Sequence, residues 1–204
     1  MNPSIGRNPV SLKKNLLVLS LFSGLSLLIY VNALDNSFHF DDMHYVALNP
    51  YIQDIKNIPA FFKSPIYGSS VKDFTSHYRP LVVTSFALNY AAGGLDPWGY
   101  HLVNLAFHIG AAFLVFLIVR GMITQVHPPT LTLPLKGGGN SVEFPALAAG
   151  LIFVLHPFNS EVVNYITARS SVMCAFFYLL AFWFWMKYHA AQAMKNEGHF
   201  PDFS

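Results

Sequence analysis

The sequence predicts an all-α membrane protein with about four membrane-spanning helices. Three observations predict it: a shortage of charge, uncharged apolar runs of about twenty residues, and aromatic residues gathered near the ends of those runs. Apolar types make up 53% of the 204 residues and charged types only 11%, against about 25% in a soluble domain. So few charges cannot clothe a chain of this size in a water-compatible surface. The 10 Tyr, 19 Phe and 3 Trp suit long membrane–water boundaries, where amphipathic rings settle. A formal net charge of +2 gives no reason to invoke nucleic acid. The single cysteine, Cys174, lies in an apolar run and has no internal partner for a disulfide.

Taken in order, residues 1–14 are a basic tail with Arg7, Lys13 and Lys14. The first span is 15–34, NLLVLSLFSGLSLLIYVNAL, which carries no charge. At ~1.5 Å rise per residue it crosses ~30 Å of hydrocarbon. A cleaved signal peptide also has a basic start and an apolar core. This run is too long for one, and Asn32-Ala33-Leu34-Asp35 is a poor small-x-small cleavage site.

Residues 35–96 change character, with Asp35, Asp41, Asp42, Asp54 and Asp73 and prolines at 50, 59, 65 and 80. They read as an ordered loop outside the bilayer, with short helices near 49–52 and 58–62. Its apolar stretch 81–92 stops at Gly93-Gly94 and is too short to span, which predicts a helix lying at the interface. Asp96 is placed to cap the second span, 97–123, and Pro97 suits its first position. Residues 124–143 contain PPTLTLPLKGGGN and show neither helical nor strand period, so they read as a flexible cytoplasmic insert. The third span is 144–156, followed by an outward HPxxxE helix at 157–169. The fourth is 170–188, ending in Trp183, Trp185, Lys187 and Tyr188, before a polar tail at 189–204.

Arg7, Lys13, Lys14, Arg120, Lys136, Lys187 and Lys195 fall on one side of this arrangement, in short flanks. Lys56, Lys63, Lys72, Arg79 and Arg169 fall on the other. The positive-inside rule then makes both termini cytoplasmic, and turns residues 35–93 and the segment around 156–161 outward.

Two outward constellations could carry chemistry. Asp41 and Asp42 are adjacent carboxylates just beyond the first span, and like charges at a membrane boundary favour a proton on one of them. One would serve as a general base; two solvated loop aspartates are the plainer reading. The second constellation is His156-Pro157…Glu161…Arg169. Helical spacing would set Glu161, Tyr165 and Arg169 along one side, as a binding face or as a ladder of polar contacts. Arg79 could grip a phosphate with its planar fork or anchor a helix to headgroups. His101, Asn104 and His108 form a polar stripe at i, i+3 and i+7 of the second span. Such stripes usually face other helices, and they also occur in transporters. No metal-ligand spacing, phosphate-cradling glycine loop or nucleophile elbow is present.

Four motifs recur in a fixed order: FxFDDxxYVxxNPxI (38–52), YRPLxxxSFALNY (78–90), GxxPxGYHLxNxxxHxxxxxLVF (94–116) and HPxxxExVxxIxxRS (156–170). Together they resemble the amino-terminal portion of the transmembrane and tetratricopeptide-repeat O-mannosyltransferases, and their bacterial relatives in the GT-C superfamily. The resemblance implies a partial GT-C fold and a multi-pass location, read here as a bacterial inner membrane. It also implies a polyprenyl-phosphate sugar as donor and a protein or lipid hydroxyl as acceptor. Asp41 or Asp42 would take the acceptor's proton, and the hydroxyl would invert the anomeric carbon. Arg79 and Arg169, with His156 as a weaker third, would offset the charge of the departing lipid phosphate, and Glu161 would help bind substrate. Neither a cofactor nor a metal is implied. Members of the family continue into further membrane helices and a repeat array, whereas this sequence ends after the fourth span. The competing expectation is therefore a non-catalytic membrane fragment, or one that works with a second chain supplying the missing helices.

Overall fold

A chain inside a bilayer has no water to take up its backbone N–H and C=O groups, so an apolar run must pair them within itself. A helix does this. The computed structural model describes residues 9–71, 77–126 and 142–197, and among them the regular structure is helical, with no β-strand. Residues 1–8, 72–76, 127–141 and 198–204 lie outside the described residues, and with them most of the expected basic tail, the whole proline- and glycine-rich stretch and the carboxy-terminal end.

Five longer helices organise the rest: α1 (Pro9–Tyr30), α2 (Pro80–Gly93), α3 (Pro97–Val126), α4 (Glu143–Leu155) and α5 (Arg169–Glu197). Three segments are long and apolar enough to cross a membrane: Leu12–Asp35, Pro97–Thr124 and Ile166–Ala193. A fourth crossing forms if α4 and the turns at Pro157–Asn164 are one span, bent by 52°. The chain is a multi-pass, all-α membrane protein.

Two elements run differently from the sequence reading. With 13 residues, α4 rises only ~20 Å, so a third crossing needs its bent continuation. The last helix does not stop at Tyr188 but runs on to Glu197. Ala190, Ala191, Gln192 and Ala193 are good helix formers and give it no reason to end.

The central strut is α3, against which α1, α4 and α5 all pack. Small residues let backbones approach closely where lipid offers no hydrophobic drive. A Cβ added at Gly110 would sit 2.8 Å from the Phe176 ring of α5, and one at Gly150 would run into Phe22 of α1. Asp96 caps α3 through its carboxylate, which accepts from the Trp98 amide at 3.1 Å.

Above the bundle, the loop after α1 builds a small core of its own. Val46, Ile52 and Phe61 pack on Val83, Phe86 and Ala87 of α2, Tyr100 of α3, and Ile166. Each such side chain, fully buried, contributes roughly 1.5–3 kcal/mol. The loop's turns are short: a 3-10 turn at Pro50–Gln53 capped by Asn49, whose side chain accepts from Tyr51 N at 3.0 Å, and one helical turn at Ile58–Phe61. This cap and α2 hold the residues of interest at the outward ends of α3 and α5.

Candidate functional site

Between α4 and α5 the backbone is not a continuous helix. His156 and Tyr165 are both extended, with ψ of 126° and 113°, which leaves carbonyls that no helix satisfies. Irregular backbone at this depth survives only where protein supplies the missing partners. The polar stripe of α3 supplies them. Asn104 Nδ2 lies 3.0 Å from Val162 O and 3.2 Å from both Tyr165 O and Ile166 O. The two ring nitrogens of His101 lie 2.8 Å from Val163 O and 3.1 Å from Asn36 O. His108 Nε2 reaches Val154 O at 3.2 Å. The stripe therefore faces neighbouring helices and holds the break in shape.

Arg169 completes this seam. It is fully buried and donates to Asn104 Oδ1 (2.7 Å), Asn89 Oδ1 (2.6 Å), Ser85 Oγ (3.2 Å) and Tyr100 O (2.7 Å). Its guanidinium also lies 4.7 Å from the centre of the Phe86 ring. One side chain thus knots α2, α3 and α5, and its donors point into protein.

Asp42 is buried in the same manner. Its Oδ2 accepts from His39 N at 3.2 Å, and its Oδ1 accepts from Thr167 N at 2.8 Å and from the Thr167 hydroxyl. These bonds fasten the 38–42 loop to the 3-10 turn Ile166–Ala168. Just before the pair, Phe40 adopts φ of 45°, the left-handed region that bulky residues avoid, and its ring is 87% exposed.

Asp41, half-buried, lines a cavity of 270 Å³ together with Tyr45, Arg79, Glu161, Tyr165 and Thr167. Burial raises the Tyr45 phenol's pKa, with the Arg79 charge opposing and the Asp41 charge adding. Burial likewise raises that of Tyr165, with Thr167 opposing and Asp41 adding. Both phenols are neutral donors near neutral pH.

Arg79 is exposed and precedes Pro80, the first residue of α2. Its Nη1 donates to Ser170 Oγ at 3.3 Å. It also borders a second, larger space, an apolar groove of 830 Å³ between α2 and α5 walled by Leu81, Val82, Met173, Cys174, Phe177 and Tyr178. Arg79, Ser170 and Ser171 line both cavity and groove, so the two are contiguous.

The fold therefore gathers Asp41, Arg79 and Glu161 around one cavity and leaves the other expected site residues off it. The single-sided ladder expected for Glu161, Tyr165 and Arg169 is corrected by the break at Tyr165. The first two reach the cavity and the third turns into the seam. His156 is exposed and not part of the cavity lining; its Nδ1 accepts from Phe158 N at 3.2 Å and starts the turn Pro157–Ser160. Tyr45 and Thr167 line the cavity without having been singled out. Tyr45, four residues after Asp41, had a sequence signal in its motif; Thr167 had none. Among the described residues no group of three or more His, Cys, Asp or Glu side chains is arranged to hold a metal ion.

The four sequence motifs converge here: the first supplies Asp41, Asp42 and Tyr45, the second Arg79, Ser85 and Asn89, the third Tyr100, His101 and Asn104, the fourth Glu161, Arg169 and Ser170. No protein-family model matches the chain and no solved structure matches it. Curated relatives do. It is 34% identical over 171 residues to protein O-mannosyl-transferase Tmtc1 of Drosophila melanogaster, a match covering 83% of this chain and 18% of that protein. It is 36% identical over 170 residues to protein O-mannosyl-transferase tmtc2 of Xenopus laevis, covering 82% and 18%. The mouse protein O-mannosyl-transferase TMTC4 is 32% identical over 181 residues, covering 86% and 23%. The chain belongs to the transmembrane and tetratricopeptide-repeat O-mannosyltransferase family. It spans about a fifth of the length of these family members.

Proposed function

We propose that this chain carries the acceptor-activating and phosphate-binding part of a membrane glycosyltransferase. It transfers a sugar, mannose by the names of its relatives, from a polyprenyl-phosphate donor to a protein hydroxyl at the outer membrane face. The observation that carries the reading is a contiguity: the Asp41 carboxylate and the Arg79 guanidinium share one cavity, and Arg79 also heads an apolar groove of 830 Å³. That sequence of surfaces suits a donor whose prenyl chain lies in the groove, whose phosphate meets Arg79, and whose sugar sits in the cavity.

In this reading the acceptor hydroxyl gives its proton to Asp41 as its oxygen attacks the anomeric carbon. The bond from that carbon to the phosphate oxygen breaks, the configuration inverts, and Arg79 offsets the charge left on the departing lipid phosphate. Glu161, exposed on the cavity rim, orients acceptor or sugar hydroxyls. Asp42 and Arg169 hold the geometry and do not touch substrate. Lys13, Lys14, Arg120 and Lys187 at the far ends of the helices support cytoplasmic termini and an outward-facing site, in what we read as a bacterial inner membrane.

The test is transfer from polyprenyl-phosphate mannose to a Ser/Thr-containing protein by the full chain in membranes. Asp41→Asn is expected to lower it by about 10²–10⁴ with helical content unchanged. Undiminished transfer by Asp41→Asn would end this assignment of the base. A second reading, a subunit without activity of its own that completes another chain, is favoured by the fifth of family length that the chain spans. Transfer by the purified chain alone would exclude it.

A further inference from the structure

The far end of the bundle holds a second cavity with charge at its rim. Along α3 the distance from Tyr100, beside the outward site, to Arg120 is about 30 Å, the thickness of the hydrocarbon core. There a space of 640 Å³ opens between α1, α3, α4 and α5, lined by Asn15, Leu117, Arg120, Glu143, Trp183 and Lys187 among others.

Its charges are unbalanced. Arg120 is half-buried, donates to Asn15 Oδ1 at 2.7 Å and lies 4.9 Å over the Phe116 ring. Lys187 is exposed and lies 5.9 Å over the Trp183 ring. Neither has a carboxylate partner among the described residues. Glu143, the carboxylate on this rim, is 3.7 Å from Lys14. Three cations thus face one anion. An arginine steadied by Asn15 and by a ring, with further donors unpaired, is a ready anion site. Because the walls include Leu117 and Trp183, the anion it suits has an apolar body attached.

We propose that this cavity binds the phosphate headgroup of an anionic phospholipid from the leaflet opposite the Asp41 site, with an acyl chain along Leu117 and Trp183. Basic pockets between membrane helices at the bilayer surface select anionic headgroups by charge. The site lies across the membrane from the groove beneath Arg79, so the lipid held here is not the sugar donor. By contacting four helices at once it ties α1 and α5 to the α3–α4 pair.

The experiment is native mass spectrometry of the full chain released from nanodiscs containing phosphatidylcholine and phosphatidylglycerol. Phosphatidylglycerol is expected to be retained in preference to phosphatidylcholine. Arg120→Gln and Lys187→Gln should each lower that retention about fivefold. Ala190→Trp should lower it by filling the cavity while leaving every charge in place. Glu143→Gln, which removes the opposing carboxylate, should raise it. Helical circular dichroism equal to wild type qualifies each variant. The proposal is overturned if wild type retains both lipids equally. It is equally overturned if Lys187→Gln and Ala190→Trp retain phosphatidylglycerol as wild type does. Displacement of the lipid by millimolar inorganic phosphate would assign the site to a soluble anion instead.

Discussion

In the seam along α3, Arg169 makes four hydrogen bonds and Asp42, one layer outward, accepts three. At the neighbouring cavity, Arg79 makes one hydrogen bond, to Ser170, and Asp41 sits half-buried against open space. The same two residue types thus do opposite work a few ångströms apart. A charge taken wholly into protein is tolerable only when its hydrogen-bonding capacity is filled, and once filled it has nothing left for a ligand. The buried pair fixes where the broken turn and the loop meet. The exposed pair is left to react.

That contrast can be broken by measurement. Arg169→Ala strands Asn89, Asn104 and a Tyr100 carbonyl inside the protein, and should cost about 3–5 kcal/mol in denaturant unfolding from detergent. A loss under about 1 kcal/mol would mean that the seam does not hold the fold. Arg79→Gln should behave in the reverse sense, with about a tenfold to hundredfold loss of transfer and an unchanged melting temperature. If Arg79→Gln unfolds the chain instead, the two arginines share one role and the comparison fails. Thr167→Val removes the hydroxyl that Asp42 accepts from but keeps the amide, for an expected loss of about 1 kcal/mol. The smallest effect is expected at Phe40, whose positive φ asparagine adopts more readily. Phe40→Asn should leave stability unchanged or raise it by up to about 1 kcal/mol, and a clear loss would show that the exposed ring has a partner.

The membrane class was legible because it depends on run length and charge, both one-dimensional. The apolar runs at 15–34, 97–123 and 170–188 fall within the three segments able to cross. The inward face of the second span was also legible, since His101, Asn104 and His108 keep helical spacing. What the stripe does was not. Its partners are carbonyls at Val154 and 162–166, exposed by a break that no glycine or proline within 162–166 announces. The division between Asp41 and Asp42 was equally hidden. Two adjacent loop residues have no period to separate them, and the deciding partner, Thr167, lies 125 positions away. Arg169 misled for a similar reason: beside an apolar run it reads as a headgroup anchor. Its partners Ser85, Asn89 and Asn104 are 65 to 84 positions distant.

The bend after α4 bears on the membrane itself. A straight rise of ~20 Å leaves a bilayer of ~30 Å to be matched by something other than helix. On this side it meets an oblique turn with Ile152 and Phe158 standing exposed, 66% and 82%. Lipid resting there must thin or tilt, at a fraction of a kcal/mol per Å of mismatch. The protein would then sit in its bilayer asymmetrically, with a shallow notch along the α4 flank where the outer surface dips toward the midplane. A polypeptide approaching from outside would find the membrane lowest on that flank.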